Sequence, residues 1–174
     1  MFKLHREEKP MKSRIGFITT ALILIFMIAG CASFRSPVKK ASDSLTQKAM
    51  QFSPPQGRAA VYVVRPFGFV GAGLPMHLLI DHQEFGKLPA GTFLYGEISP
   101  REHILESADF TGLKSHSIKF TAEEGKSYYI YATVGWNLHL DILTEDEGKR
   151  LVTKYELSGD NKFDYGDEVP AIPQ

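Results

Sequence analysis

A mostly β fold, a single antiparallel β-sandwich over residues 58–157, is what the sequence predicts, and three observations predict it. From Arg58 onward the chain consists of short β-branched and aromatic runs with period-two character. Turn residues punctuate those runs about every eight to twelve positions. The stretch is about a hundred residues long, enough to bury one core without covalent help.

The elements follow in order. Ala59 to Arg65 is the first strand, almost continuously apolar through Val61-Tyr62-Val63-Val64 and stopped by Pro66. A loop carrying Gly68, Gly71 and Gly73 leads to Met76 to Asp81, and a tight turn leads to Glu84 to Leu88. Thr92 to Ile98 comes next; Glu102 to Ala108 follows Ser99-Pro100, and Ser115 to Phe120 follows Gly112. Tyr128 to Val134 begins after Glu123-Glu124-Gly125-Lys126, and Asn137 to Leu143 after Gly135. Thr144 to Gly148 reads as a turn or one helical turn, and Arg150 to Leu157 as a last strand or short helix. Residues 158–174, acidic and with Pro170 and Pro173, predict a disordered tail.

Ahead of the domain, residues 1–30 have the form of an export signal. Lys12 and Arg14 precede an apolar stretch that starts at Ile15 and closes on Ile28-Ala29-Gly30-Cys31. As a helix, Ile15 to Gly30 reaches roughly 24 Å, short of a hydrocarbon core about 30 Å thick. Small residues at the end of the stretch suit cleavage between Gly30 and Cys31. The pattern resembles a bacterial lipoprotein signal peptide, which implies a diacylglyceryl group and an N-acyl chain on Cys31. Two or three acyl chains on one residue hold a protein to a bilayer durably, where one chain alone is marginal. Ala32, rather than Asp, after the cysteine points to the outer membrane under enterobacterial-type sorting. Met11, directly before Lys12, is an alternative start.

Residues 31–57 read as the lipidated cysteine and a tether rich in Ser, Pro, Lys and Gln. Within it, Leu45, Ala49 and Phe52 fall on one stripe of a helix over Ala41 to Phe52. Ser42 or Ser44 would be its N-cap, and Ser53-Pro54-Pro55-Gln56-Gly57 would break it. The stripe suits docking on the domain.

Charge and cysteine content exclude several classes of function. The whole chain has 20 basic and 20 acidic residues. Cleavage removes five of the former and two of the latter, leaving 15 and 18 and a net charge of −3. That is no footprint for nucleic acid. Cys31 is the sole cysteine, so no disulfide and no thiolate metal site can form inside the domain.

The remaining candidates for chemistry are sparse. His77, His82, His103, His116 and His139 show no spacing that places two imidazoles on one face, so no metal is predicted. Ser115-His116-Ser117 lacks the glycines of a nucleophile elbow. Asp81 and Glu84 flank a hairpin turn, where Asp serves the backbone. Gly68, Gly71 and Gly73 precede no Lys-Ser/Thr and are no phosphate loop. No cofactor is predicted. Binding is the stronger expectation, and Phe67 and Phe69 in the glycine-rich loop are its first candidates, because exposed phenylalanines call for a partner or a cover. Tyr129, Tyr131 and Trp136 complete the candidate surface. Tyrosines combine apolar area with a polar tip, although covering the sandwich or packing beneath the tether helix is the stronger reading of them.

Phe52-Ser53-Pro54-Pro55-Gln56-Gly57-Arg58-Ala59, leading into Val61-Tyr62-Val63-Val64-Arg65-Pro66, is similar to the opening of a bacterial lipoprotein family known as domain of unknown function twenty-eight forty-six. Leu79-Ile80-Asp81, Phe85-Gly86-Lys87-Leu88, Gly91-Thr92-Phe93 and Glu124-Gly125-Lys126-Ser127-Tyr128-Tyr129 extend the resemblance across about residues 48–155. The chain also resembles PEGA-type β-sandwich modules of bacterial surface proteins. It departs from them at His82, where their turn prefers Gly, and at Arg101-Glu102-His103. These motifs imply the fold and bring no catalytic residues. The expected function is that of a membrane-anchored, non-enzymatic envelope module facing the periplasm, binding an envelope protein or a surface polymer. A small enzyme or ligand carrier acting on envelope glycans or lipids is the alternative, and a purely structural lipoprotein a third.

Overall fold

The computed structural model describes residues 39–68, 71–108, 114–134 and 138–162. The expected signal peptide over residues 1–30, with Gly30, and Cys31, Phe69, Trp136 and residues 163–174 lie outside them. Among the described residues no helix is long and apolar enough to cross a membrane.

The elements are α1 (Asp43–Ala49), β1 (Ala59–Arg65), β2 (Met76–Ile80), β3 (Gln83–Leu88), β4 (Thr92–Ile98), β5 (Glu102–Ala108), β6 (Lys114–Thr121), β7 (Ser127–Val134), β8 (Leu138–Leu143), α2 (Glu145–Val152) and β9 (Glu156–Leu157). Two sheets form, one in the order β8-β7-β1-β4-β9 and the other in the order β3-β2-β5-β6. The protein is mostly β and built as a sandwich, and two short helices are found among the described residues. The four-stranded sheet is antiparallel throughout. The five-stranded sheet is mixed, because β1 runs parallel to β7 and β4 parallel to β9. That corrects the expectation of antiparallel pairing throughout. Turn signals specify only the pairing of consecutive strands, whereas β1 and β7 meet after the chain has traversed the other sheet.

All seven residues of β1 are buried, and two cores explain why. Ala59, Val61 and Val63 face the space between the sheets, where they meet Leu78, Ile80, Phe85 and Leu105. Ala60, Tyr62 and Val64 face the opposite way, into a second core with Phe93, Tyr95 and Tyr129. A strand buried on both faces loses its alternation and reads as one apolar run.

The second core is roofed by the two helices. Ser42 caps α1, its hydroxyl accepting from the Leu45 amide at 3.3 Å. Ala49 and the partly buried Leu45 face inward. Thr144 opens α2 with a capping box to Glu147. Acidic residues in the first turn and Lys149 and Arg150 in the last complement the helix dipole. Gly148 looks like a terminator in sequence but sits inside α2. A Cβ there would lie 2.1 Å from Cγ of Tyr129, so the helix can approach that ring only at a glycine.

The expected tail also needs correction at its start. Ser158 to Lys162 form a strap that stitches the two sheets together. The Ser158 amide donates to the Phe93 carbonyl on β4 at 2.9 Å, while the Lys162 amide donates to the Phe85 carbonyl on β3 at 3.1 Å. The Asn161 side-chain oxygen accepts from the Tyr95 amide at 3.2 Å. Alongside, the Gly159 amide donates to the Lys39 carbonyl at 2.6 Å. A Cβ on Gly159 would lie 2.5 Å from the Lys40 carbonyl oxygen. Gly86, at φ +151°, gives the strap its close approach on β3, where a Cβ would lie 2.5 Å from the Asp160 carbonyl oxygen. These backbone bonds make the strap part of the domain despite its polar composition.

Candidate functional site

Arg65 ends the wholly apolar β1 and is itself only 2% exposed. Its guanidinium turns into the loop that follows. Nη1 donates to the carbonyls of Leu74 at 2.8 Å and Leu88 at 3.0 Å, and Nη2 donates to the carbonyl of Gly71 at 2.8 Å. Burial pulls the Arg65 pKa below its ordinary value, but a guanidinium stays protonated in proteins. One buried cation thus fixes three carbonyls belonging to the β1–β2 loop and the end of β3. Gly71, at φ +70°, lies against Val134 and Arg65 and completes the turn. This loop presents two of the large apolar side chains that stand most exposed, Phe67 at 50% and Leu74 at 49%. Pinning a loop's backbone lowers the ordering cost of using its side chains in binding.

A polar cluster at the β2–β3 hairpin is built for a different purpose. Asp81 and His82 form the two-residue turn with φ of +50° and +67°. That is the primed geometry that twists with its strands and ordinarily favours Asn-Gly or Asp-Gly. Asp81 Oδ1 accepts from the Ile104 amide at 3.0 Å, and Oδ2 faces Arg101 Nη2 at 2.6 Å and His103 Nδ1 at 2.8 Å. Burial raises the Asp81 pKa, but the Ile104 and His103 hydrogen bonds and the charges of His103 and Arg101 outweigh it, and the net shift is downward. His103 Nε2 lies 2.7 Å from the Ser99 carbonyl, which can only accept. The Ser99 hydroxyl accepts from Arg101 Nε at 3.1 Å, so the Asp–His pair faces a carbonyl and not a nucleophile. His82 Nδ1, 2.8 Å from Glu106 Oε2, ties the strained turn residue to a buried carboxylate on β5. The cluster pins the hairpin to β5.

The fold brings together two histidines whose spacing in sequence gave no hint of it. His116 on β6 and His139 on β8 meet with ring centroids 4.9 Å apart, and His139 Nε2 lies 3.1 Å from Asp141 Oδ1. Among the described residues no group of three His, Cys, Asp or Glu is arranged to hold a metal ion.

The candidate binding residues divide accordingly. Phe67 lies on the arginine-clamped loop and is exposed. Tyr129 is not a surface residue. It is 1% exposed in the second core, stacked on Tyr62 at 4.9 Å with the rings 13° apart. Along β7 it points away from Ile130, which lies in the core between the sheets, and α2 covers the face it takes. Tyr131 is partly buried on the same face, and Phe69 and Trp136 fall outside the described residues. Glu84 forms an exposed ion pair with Lys162 Nζ at 2.7 Å, and that hydrogen bond, ahead of all else, lowers its pKa. Sequence reasoning missed Arg65 and Leu74. The available signal was a cation closing an otherwise apolar strand at the mouth of a glycine-rich loop. No protein-family model and no curated protein matches the chain.

Proposed function

We propose that the chain is a lipid-anchored bacterial envelope lipoprotein whose sandwich domain binds an envelope protein or surface polymer through the Phe67–Leu74 loop and performs no catalysis. The observation that carries the binding half of this reading is the Arg65 clamp, which holds the backbone at Gly71 and Leu74 in the loop that exposes Phe67 and Leu74. The anchoring half rests on Ile28-Ala29-Gly30-Cys31 after a short apolar run, and on the resemblance of residues 48–155 to the lipoprotein family of domain of unknown function twenty-eight forty-six. Ala32 favours the outer membrane, with the domain on the periplasmic side.

Tether geometry sharpens the proposal. Lys39 and Ala41 are bonded to Gly159 and Leu157, so the domain already begins at Lys39, eight residues after Cys31. Eight residues span about 28 Å at most, whatever their conformation.

The test is chemical crosslinking in intact cells of the chain tagged after Gln174, beside Phe67→Ser and Leu74→Ser variants. A discrete adduct lost in both variants, with thermal melts unchanged, is the expected result. An adduct indifferent to both changes sinks the loop as the binding site. With no protein adduct at all, binding and turnover of envelope glycans and lipids by the purified chain decide for or against the alternative of an enzyme or carrier. Anchoring is checked separately: Cys31→Ala should abolish acylation and leave the precursor uncleaved, as read by intact mass.

A further inference from the structure

A two-sheet sandwich has four edge strands, and each exposes backbone donors and acceptors that can recruit another strand. The chain deals with three of its four. Along β3, the strap pairs Asn161 with Gly86. Along β9, Lys40 pairs with Ser158, and the Ala41 amide donates to the Leu157 carbonyl. The β6 edge carries the exposed Lys119, and its pairing with β5 is broken by a bulge at Ser107/Ala108, the charged and irregular kind of edge that discourages addition. Among the described residues the fourth edge, β8, has neither a strap nor a bulge. Among the described residues its only ladder is to β7, and although the His116 and His139 rings touch, no ladder joins β8 to β6. Ile142 stands 55% exposed on it.

The sequence of this edge is complementary to itself when reversed. Leu138, Leu140 and Ile142 share one face of β8, and His139 and Asp141 share the other. Set two copies antiparallel about a two-fold axis at Leu140. Leu138 then lies opposite the second copy's Ile142 and His139 opposite the second copy's Asp141, each pair occurring twice, and Leu140 lies once opposite its own counterpart. Sliding the register by two residues places Asp141 opposite Asp141 or His139 opposite His139, so unlike groups oppose one another only in the register centred on Leu140. We infer that β8 is a homodimerisation edge, joining two copies of this chain into one continuous ten-stranded sheet through an isologous contact. The occupant is a second copy because both the apolar and the polar positions of the strand find their complements in the strand itself. The inference stands independently of the anchoring and binding reading above.

Sedimentation velocity of the full-length chain in a nonionic detergent tests it, with thermal melts to confirm folding of each variant. The wild-type chain should sediment as a dimer. His139→Asp places like charges opposite each other twice and should weaken the dimer by about ten-fold or more. Asp141→His should weaken it too, by opposing two imidazoles. The exchange variant His139→Asp/Asp141→His has the wild-type composition and restores every unlike pair, so its dimer should return. Three outcomes overturn the inference: a monomeric wild-type chain at about 100 µM, a dimer that neither single substitution weakens, or a folded exchange variant that stays as weak as His139→Asp.

Discussion

The two faces of the five-stranded sheet solve the same burial problem with different materials. Between the sheets the core is aliphatic with few rings, and Leu78, Ile80, Leu94 and Leu105 are all fully buried. On the other face the core is aromatic, with Tyr62 at the centre of contacts to Phe52, Phe93, Tyr95 and Tyr129. The first face is closed by a second sheet, which covers it evenly. The second is closed by two helices of seven and eight residues, too short to persist by themselves. Large rings with polar tips let so small a roof suffice, because each ring buries a large area and its hydroxyl can tie down a helix end. The difference teaches that sheet-on-sheet packing here depends on volume, and helix-on-sheet packing on particular contacts.

The largest expected effect breaks the aliphatic side. Leu105, on β5, is fully buried among side chains from both sheets. Leu105→Ala removes three heavy atoms and leaves a cavity that two opposed sheets cannot collapse around. A loss of about 2–5 kcal/mol in unfolding free energy is expected from denaturant titration. A loss below about 1 kcal/mol would mean that the sheets do close up and that the core is softer than its burial suggests.

The next effect probes the aromatic side through one glycine. By helix propensity alone Gly148→Ala should stabilise α2 by about 1 kcal/mol. The Tyr129 ring, 2.1 Å from where the new Cβ would sit, reverses that sign. The ring is held against Tyr62 and cannot retreat, so the variant should lose about 1–3 kcal/mol, in the range of overpacked cores. Shrinking the ring should recover most of it: in the Tyr129→Leu background the same Gly148→Ala change should be close to neutral. A cycle of the four proteins measures this, and a Gly148→Ala cost that persists unchanged without the ring would place its origin elsewhere in the helix.

The same contrast decides how much could be read without coordinates. The strands β1 to β8 stand at or within a residue of their expected bounds, since period-two runs and turn residues are local signals, whereas the segment Arg150 to Leu157 divides between the end of α2 and the two-residue β9. Local signals do not state what lies on a strand's far side. Val61-Tyr62-Val63-Val64 shows that a strand is buried on both faces, but not that α2 covers it. Tyr129 therefore remains a surface candidate in sequence even though packing is the stronger reading of it. Gly148 looked like a stop because a glycine's reason for being in a helix can be a ring from a strand far along the chain. Ser158 to Lys162 looked like tail because backbone hydrogen bonds, which hold them, leave no trace in hydropathy. At the candidate site Phe67 was legible as an apolar residue in a loop. The Arg65 clamp was not, since its carbonyl partners belong to backbone that any residue would provide.

The smallest effect compares two tyrosines stacked on each other. The Tyr62 hydroxyl is buried and donates to the Ala49 carbonyl at 2.8 Å, tying the last turn of α1 to the sheet. Burial first, then the charges of Tyr129 and Glu97, push its pKa well above the usual phenol range, so at any ordinary pH it remains a donor. Among the described residues the buried Tyr129 hydroxyl has no hydrogen-bond partner. Tyr62→Phe should therefore cost about 1 kcal/mol, and amide exchange should quicken in α1 more than elsewhere because the lost bond is its fastening. Tyr129→Phe removes a polar group that has already given up its water, and it should leave stability unchanged or raise it by up to about 1 kcal/mol. Equal losses in the two variants would mean that both hydroxyls are satisfied, and the aromatic core would then be fastened at two points instead of one. With the opposite signs expected here, the roof is held at Ala49 by a hydrogen bond and at Gly148 by contact alone.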